Sequence, residues 1–283
     1  MTYRKLISQG IKECNKRNKE ESAIKLLALE LSGLNGASFY ASYDEEMNEE
    51  TKIKIEQAFH QYLIENLPVQ YILGYSYFFG RKFVVDSRVL IPRPETEELV
   101  GLVLQTYDNV FLDQKVKLVD VGTGSGAIAI SLCLEEPKFE VYASDISDEA
   151  LEVAALNQRN LGSNVLFVKS DMLDYYIANN MTFDILVSNP PYIPSTELVD
   201  QIVKDNEPHI ALFGGDDGMK FYREILKNAN QVLNTPNIIA FEHGFDKRDE
   251  MITLAKKYFP NGKIEVVQDI FGKDRMTIIV NHN

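Results

Sequence analysis

The sequence predicts an α/β protein, a doubly wound and largely parallel sheet preceded by a small helical bundle. Three observations predict it. From residue 116 onward, short β-branched runs alternate with helical patterns, as crossover units require. Between the first such strand and helix stands a glycine-rich turn, Gly122-Thr123-Gly124-Ser125-Gly126. Residues 1 to about 67, by contrast, carry apolar stripes at helical spacing.

Taken in order, Leu6, Ile7, Ile11 and Cys14 mark a first helix, Ile24, Leu27, Leu31 and Leu34 a second, and Ile55, Phe59, Tyr62 and Leu63 a third. Gly33 and Gly36 punctuate the second, and Pro68 closes the third. Pro68 to Gly74 reads as a turn-rich connector, and Tyr75 to Val85 as a β-hairpin turning at Gly80-Arg81. In Ile91-Pro92-Arg93-Pro94-Glu95-Thr96-Glu97 the second proline suits a first helical position and the carboxylates suit the positive helix end. Arg93, between two prolines, is a candidate dock for a carboxylate ligand.

Strands are expected at Val116–Val121, Val141–Ser144, Val165–Lys169, Phe183–Ser188, Ile238–Glu242, Ile264–Gln268 and Thr277–Val280. Helices are expected at Ala127–Leu134, Asp148–Asn160, Ser195–Lys204, Phe221–Val232 and Lys247–Tyr258. The last two strands are joined too closely for a crossover, so the final strand should run antiparallel.

Composition bounds the function. The 283 residues are 45% hydrophobic and 25% charged, a soluble globular balance. A formal net charge of −13 argues against broad binding to a phosphate backbone, although residues 1 to 40 alone carry seven Lys/Arg against four Asp/Glu. Cys14 and Cys133 lie far apart with no metal-ligand spacing around them, so a reducing compartment and no metal are expected. With no apolar run of spanning length and no leader pattern, a cytoplasmic chain without membrane contact is expected.

The chemistry gathers at strand ends. The spacing Gly122, Gly124, Gly126 departs from the dinucleotide fingerprint, whose third glycine comes one residue later, so the loop suits a nucleoside rather than a pyrophosphate. Asp145 ends the second strand, where a carboxylate can accept ribose hydroxyls, and Asp171-Met172 follows the third, in reach of an adenine ring. After the fourth comes Asn189-Pro190-Pro191-Tyr192, in which two prolines hold the backbone near φ −65° and remove two donors. Asn189 Oδ1 and the Pro190 carbonyl can accept the two protons of an N–H₂ group while Tyr192 stacks on a planar one. Methyl transfer to such a nitrogen fits this pairing better than hydride transfer. Glu207 to Gly218 reads as a lid or rim over the acceptor. His243, in Glu242-His243-Gly244, is a candidate general base, although a histidine ending a strand is more often structural.

These residues resemble a known family, the release-factor glutamine N5-methyltransferases, also called HemK-type or PrmC protein methyltransferases. The resemblance covers nearly the whole chain. It rests on Pro68-Val69-Gln70-Tyr71-Ile72 with Gly74, Leu90 to Glu97, Asp120 to Ile130, Asn189 to Tyr192, Glu207-Pro208, Gly214 to Gly218, Glu242-His243-Gly244 and Asp274-Arg275. It implies a seven-stranded class I, Rossmann-like methyltransferase domain with S-adenosylmethionine as donor and S-adenosylhomocysteine as product. The implied acceptor is the glutamine of the Gly-Gly-Gln loop of peptide chain release factors, met by a monomeric chain without direct nucleic-acid contact. Gly122, Thr123, Gly124, Ser125, Gly126, Asp145, Asp171, Met172 and Asn189 are then expected at the donor. Asn189, Pro190, Pro191, Tyr192 and Arg93 are expected at the acceptor, with Asn189, Pro190 and Tyr192 catalytic. Met172 and Lys247 depart from the common pattern. The Asn-Pro-Pro-Tyr corner also occurs in adenine N6-methyltransferases, so methylation of DNA or RNA is the alternative, and a catalytically idle nucleoside-binding module a third. The expected organisation is a helical recognition domain at 1–74, a hairpin linker at 75–90 and a catalytic domain at 91–283.

Overall fold

The computed structural model describes residues 1–282 and divides into two compact units. The first is Met1–Tyr75 together with Asp200–Asn206. It holds α1 (Tyr3–Lys16), α2 (Glu21–Ser32), α3 (Gly36–Ala41), α4 (Glu49–Leu63) and α5 (Val69–Leu73). Side-chain oxygens of Thr2, Asn35 and Asn48 accept from Lys5 N, Ser38 N and Thr51 N, satisfying donors that a helix start leaves unpaired. The stripes meet as read: Leu6, Ile7, Cys14, Ile24, Leu27, Ile55, Phe59 and Tyr62 form one buried cluster. Leu34 departs from it and is exposed, because Gly33 has already ended α2 in the left-handed region, φ 71°. The segment expected as a connector contains a short helix, α5, which Gly74 closes at φ 76°.

The second unit, Ser76–Val199 and Glu207 onward, carries the sheet. A hairpin of β1 (Tyr75–Phe78) and β2 (Arg81–Val84) comes first. Its two-residue turn, Phe79-Gly80, has φ of 48° and 72°, both positive as a tightly twisted hairpin demands. Then follow α6 (Pro94–Phe111), β3 (Val116–Val121), α7 (Ala127–Glu135), β4 (Phe139–Asp145), α8 (Asp148–Leu161), β5 (Leu166–Lys169), α9 (Asp174–Ala178) and β6 (Phe183–Ser188). The chain continues through α10 (Gln201–Asn206, in the first unit), α11 (Lys220–Ala229), β7 (Leu233–Glu242), α12 (Arg248–Tyr258), β8 (Lys263–Gln268) and β9 (Asp274–Asn281). The helix expected from Ser195 starts only at Gln201. Ser195 N is drawn instead to Gly215 O at 2.9 Å, and Glu197 N to Pro194 O.

The seven strands lie in the order β5-β4-β3-β6-β7-β9-β8. Every pairing is parallel except those of β9, which runs antiparallel to both neighbours as the short final connection requires. Both faces are buried, so alternate residues of one strand serve different cores. Ile185 and Val187 pack with Leu99, Val103 and Ile130 on one side, whereas Leu186 packs with Tyr222, Ile225 and Met251 on the other. Strand order reverses between β3 and β6, and the crevice above their carboxyl ends is where such sheets hold ligands.

Asn157 on α8 ties the hairpin to this region. Its Oδ1 accepts from Val84 N at 2.7 Å, and its Nδ2 donates to Val84 O at 3.0 Å and Ser125 O at 2.9 Å, with the Asn157 side chain itself fully buried. Asn157→Ala strands these three backbone groups and should cost about 2–4 kcal/mol of stability. Urea unfolding at equilibrium measures it, and a loss below ~0.5 kcal/mol contradicts this role.

Candidate active site

Register brings the site together. In the parallel ladders Val121 lies beside Ser144, Asp120 beside Val187, and Asp145 beside Lys169. Gly122, Asp145 and Asn189 therefore leave neighbouring strand tips at one level. Gly122 N and Thr123 N both donate to Ser144 O at 2.9 Å, which folds the turn over the end of β4. Gly122 (φ 76°) and Gly124 (φ 54°) would carry a Cβ into open space, so the backbone itself forms the cavity wall there. Gly126 serves packing, since a Cβ on it would meet Ile130 Cδ1 at 2.9 Å and Ala154 Cβ at 3.2 Å.

The cavity, about 260 Å³, is lined by Gly122, Gly124, Asp145, Asp171, Met172, Asn189, Pro190 and Pro191 among the residues read from sequence. Arg88 to Leu90, Pro208, Ile210, Ala211, Lys220 and Phe221 are also in the wall. Thr123, Ser125 and Tyr192 do not line it, and Tyr192 packs against the core on the far face of the sheet. Thr123 Oγ1 instead donates to Asp120 Oδ2 at 2.7 Å below the turn, and Ser125 is buried. Asp145 accepts from Gly124 N at 2.8 Å through Oδ2 and from Ser147 N at 3.0 Å through Oδ1. Burial raises its pKa from the ordinary value, and the backbone donors of Ser147, Gly124 and Ile146 oppose that shift. A carboxylate offers about four lone-pair sites, more than these backbone donors occupy, so this fixed group can still accept a hydroxyl from a ligand.

Asn189 is half-buried and held from behind. Its Nδ2 donates to Thr96 Oγ1 at 3.2 Å, and Thr96 Oγ1 donates to Glu242 Oε2 at 2.6 Å. Glu242 ends β7 in the core, where burial pushes its carboxyl up to about 7 against hydrogen bonds from Thr96 and Asn189. Neither support was read from the sequence, although a carboxylate closing the apolar run Ile238–Phe241 was a usable signal. The Tyr192 backbone is clamped by the glycine loop. A Cβ on Gly214 would stand 2.4 Å from Pro191 O, and one on Gly218 2.2 Å from Tyr192 O. Ile193 N donates to Leu212 O, and Gly214 N returns a bond to Ile193 O. Burial pushes the Tyr192 phenol up to about 12, so it stays neutral.

Two candidates from the sequence are placed differently. Arg93 does not line the cavity, and its guanidinium reaches a carboxylate of the chain itself, Glu207 Oε1 at 2.5 Å. Glu207 also accepts from Ile91 N at 3.1 Å, its side chain only 1% exposed, so the pair pins the Ile-Pro-Arg-Pro segment. His243 is fully buried. Its Nδ1 faces Gly244 O at 2.8 Å and must carry the proton, leaving Nε2 to accept from Thr277 Oγ1 at 2.9 Å. Burial lowers its pKa, so it is a neutral structural imidazole with both nitrogens engaged.

A seven-stranded sheet with its glycine turn and Asn-Pro-Pro-Tyr corner on either side of the switch point defines a class I methyltransferase. A methyltransferase crystal structure from Pyrococcus furiosus, 19% identical, superposes with a TM-score of 0.52, covering 83% of this chain and 100% of the other. Residues 5–74 match the family description "PrmC N-terminal domain", and residues 101–214 match "Methyltransferase small domain". The release factor glutamine methyltransferase of Bacillus subtilis is 42% identical over 267 residues, 93% of this chain and 92% of its own. That of Streptococcus pneumoniae is 35% identical over 99% of this chain and 98% of its own. The chain belongs to the release factor glutamine methyltransferase family.

Beneath the glycine turn, Asp120 is fully buried, its Oδ1 has no hydrogen-bond partner among the described residues, and burial pushes it up to about 7. The folded state thus keeps a proton that the unfolded chain releases near ~3.9. Its contribution to stability is full below that value and is lost as pH rises through about 7. Asp120→Asn should therefore raise the urea midpoint over the parent at pH 8, by a margin that shrinks toward pH 5. A margin that widens on acidification contradicts it.

Proposed function

We propose that this chain transfers a methyl group from S-adenosylmethionine to the side-chain amide nitrogen, N5, of the glutamine in the Gly-Gly-Gln loop of peptide chain release factors. The observation that carries the reading is the Asn189 amide, fixed by Thr96 at the wall of the cavity that the glycine turn and Asp145 also line. Membership of the family supports the choice of acceptor. The helical unit at 1–74, through the hairpin at 75–90, serves recognition of the folded release factor, and residues 91–283 carry the chemistry.

The residues present fit a nucleoside donor. The open backbone at Gly122 and Gly124 takes its close approach, and Asp145, pinned by Gly124 N and Ser147 N, accepts its ribose hydroxyls. Met172 and Asp171 stand at the adenine end, on the tip that follows β5. When bound, S-adenosylmethionine supplies an activated methyl group that already carries its leaving group. What remains for the protein is alignment and charge. Asn189 Oδ1 and the Pro190 carbonyl accept the two glutamine N–H protons as they become acidic, and Tyr192, next in the corner, offers its ring to the amide plane. The Pro190-Pro191 backbone and the Gly214 and Gly218 clamp keep these acceptors from yielding to the substrate.

Incubation with an intact release factor and donor should add one methyl group to the Gly-Gly-Gln glutamine, read by mass spectrometry. Label entering nucleic acid instead overturns the reading. Asn189→Ala should lower turnover by about 10²- to 10³-fold with little change in donor affinity. Asp145→Ala should weaken donor binding first, measured by calorimetry. An isolated Gly-Gly-Gln peptide should be methylated far more slowly than the intact factor, and equal rates would remove the recognition role of the helical unit.

A further inference from the structure

We propose that Thr96 and Glu242 are a positioning pair which sets the orientation of the Asn189 side-chain amide, turning its oxygen rather than its nitrogen toward the methyl acceptor. The proposal rests on the methyl-transfer reading for the identity of the acceptor, but the hydrogen-bond chain stands by itself.

The direction of that chain follows from proton counting. An ionised carboxylate has no proton to give, so Thr96 must donate along its 2.6 Å contact to Glu242 Oε2. A hydroxyl has one proton, and once it is committed the Thr96 oxygen can only accept. Of the two ends of the Asn189 amide, only the N–H₂ end can then face Thr96, and it does so at 3.2 Å. A flipped amide would set its oxygen against the Thr96 lone pairs and the carboxylate. That arrangement replaces a hydrogen bond by a repulsion. The amide oxygen is therefore directed away from the pair, and Asn189 is a wall residue of the cavity.

Each member is itself fixed. Thr96 lies in the first turn of α6, whose start Pro94 and the Arg93–Glu207 ion pair hold. Glu242 sits at the end of β7 beside Met276 of β9, and its carbonyl accepts from the Tyr222 hydroxyl at 2.7 Å. The charged and titratable groups around its carboxyl are Arg275 of β9, which favours the ionised form, Glu95 of α6, which opposes it, and the phenols of Tyr192 and Tyr222. Protonation of Glu242 would let it donate to Thr96, free the Thr96 proton for Asn189 Oδ1, and reverse the whole chain. The amide would then present N–H₂ to an acceptor that also bears N–H₂. Because burial lifts this carboxyl to about 7, the productive, ionised arrangement is lost as pH falls through that value.

The test compares Glu242→Gln, Thr96→Val and Thr96→Ser with the parent full-length chain. Thr96→Val and Glu242→Gln should lower kcat for release-factor methylation by about 10- to 100-fold, with KM and donor affinity changed less than about twofold. Thr96→Ser, which keeps the hydroxyl, should retain most of the rate. The parent kcat should rise with pH through about 7, a limb that Glu242→Gln abolishes. A second readout needs no acceptor: the Asn189 side-chain amide signals in ¹⁵N spectra, identified by their loss in Asn189→Ala. They should shift with pH through the same range in the parent and not in Glu242→Gln, which removes the titrating group. Unchanged kcat in both disruptive variants, donor affinity falling in step with kcat, or amide signals indifferent to Thr96→Val would each overturn the proposal. Should the parent methylate no release factor, the function proposed above fails while the amide signals still decide the pair.

Discussion

The parallel pairing of β3 with β6 is the constraint on which the rest of the site depends. Asp120 beside Val187 puts the glycine turn and the Asn189 corner on adjacent strand tips, though 67 residues separate those two partners in the chain. The Ser188 hydroxyl reinforces the joint by donating to Val121 O at 2.6 Å. A one-residue slip would turn Val187 and Leu186 into the wrong cores and move Asn189 off the level of Gly122. Register here is a packing decision with a chemical consequence.

Two carboxylates in the core, Asp120 under the glycine turn and Glu242 under the asparagine, stand where an apolar side chain would pack more favourably. Both accept from a threonine hydroxyl, Thr123 in one case and Thr96 in the other. Thr123 belongs to the turn that lines the cavity, and Thr96 holds Asn189, which lines it. The sheet thus spends stability on both acids, and in exchange two mobile elements, a glycine turn and an amide rotor, are held in one arrangement. The glycines at 214 and 218 complete this from the other side, because the absence of a Cβ lets the loop press directly on the Pro191 and Tyr192 carbonyls.

Local signals carried much of the fold. Alternating runs, proline and glycine punctuation and one short connection were enough for seven strands, the antiparallel final strand and the N-terminal stripes, since each depends on neighbouring residues. Where the structure departs from the expected pattern, the backbone hydrogen bonds of the folded chain decide it. Ser195 to Asp200 carries a plausible helical pattern but is held by Gly215 and Pro194, and α5 forms within a stretch that looked like a turn. Membership of the release factor glutamine methyltransferase family was likewise legible in the motifs, which are short and contiguous.

Determined by the sequence alone were the strand-end positions of Gly122, Asp145 and Asn189 and the stiff Pro190-Pro191 corner. These follow from backbone chemistry within a few residues. Only the tertiary structure decided the partners. Arg93 turned to the chain's own Glu207, His243 engaged both its nitrogens inside the core, and Thr96 met Asn189 across 93 residues and Glu242 across 146. A hydrogen bond is set by distance and angle in space, and spacing along a chain holds neither until the strands have chosen their neighbours.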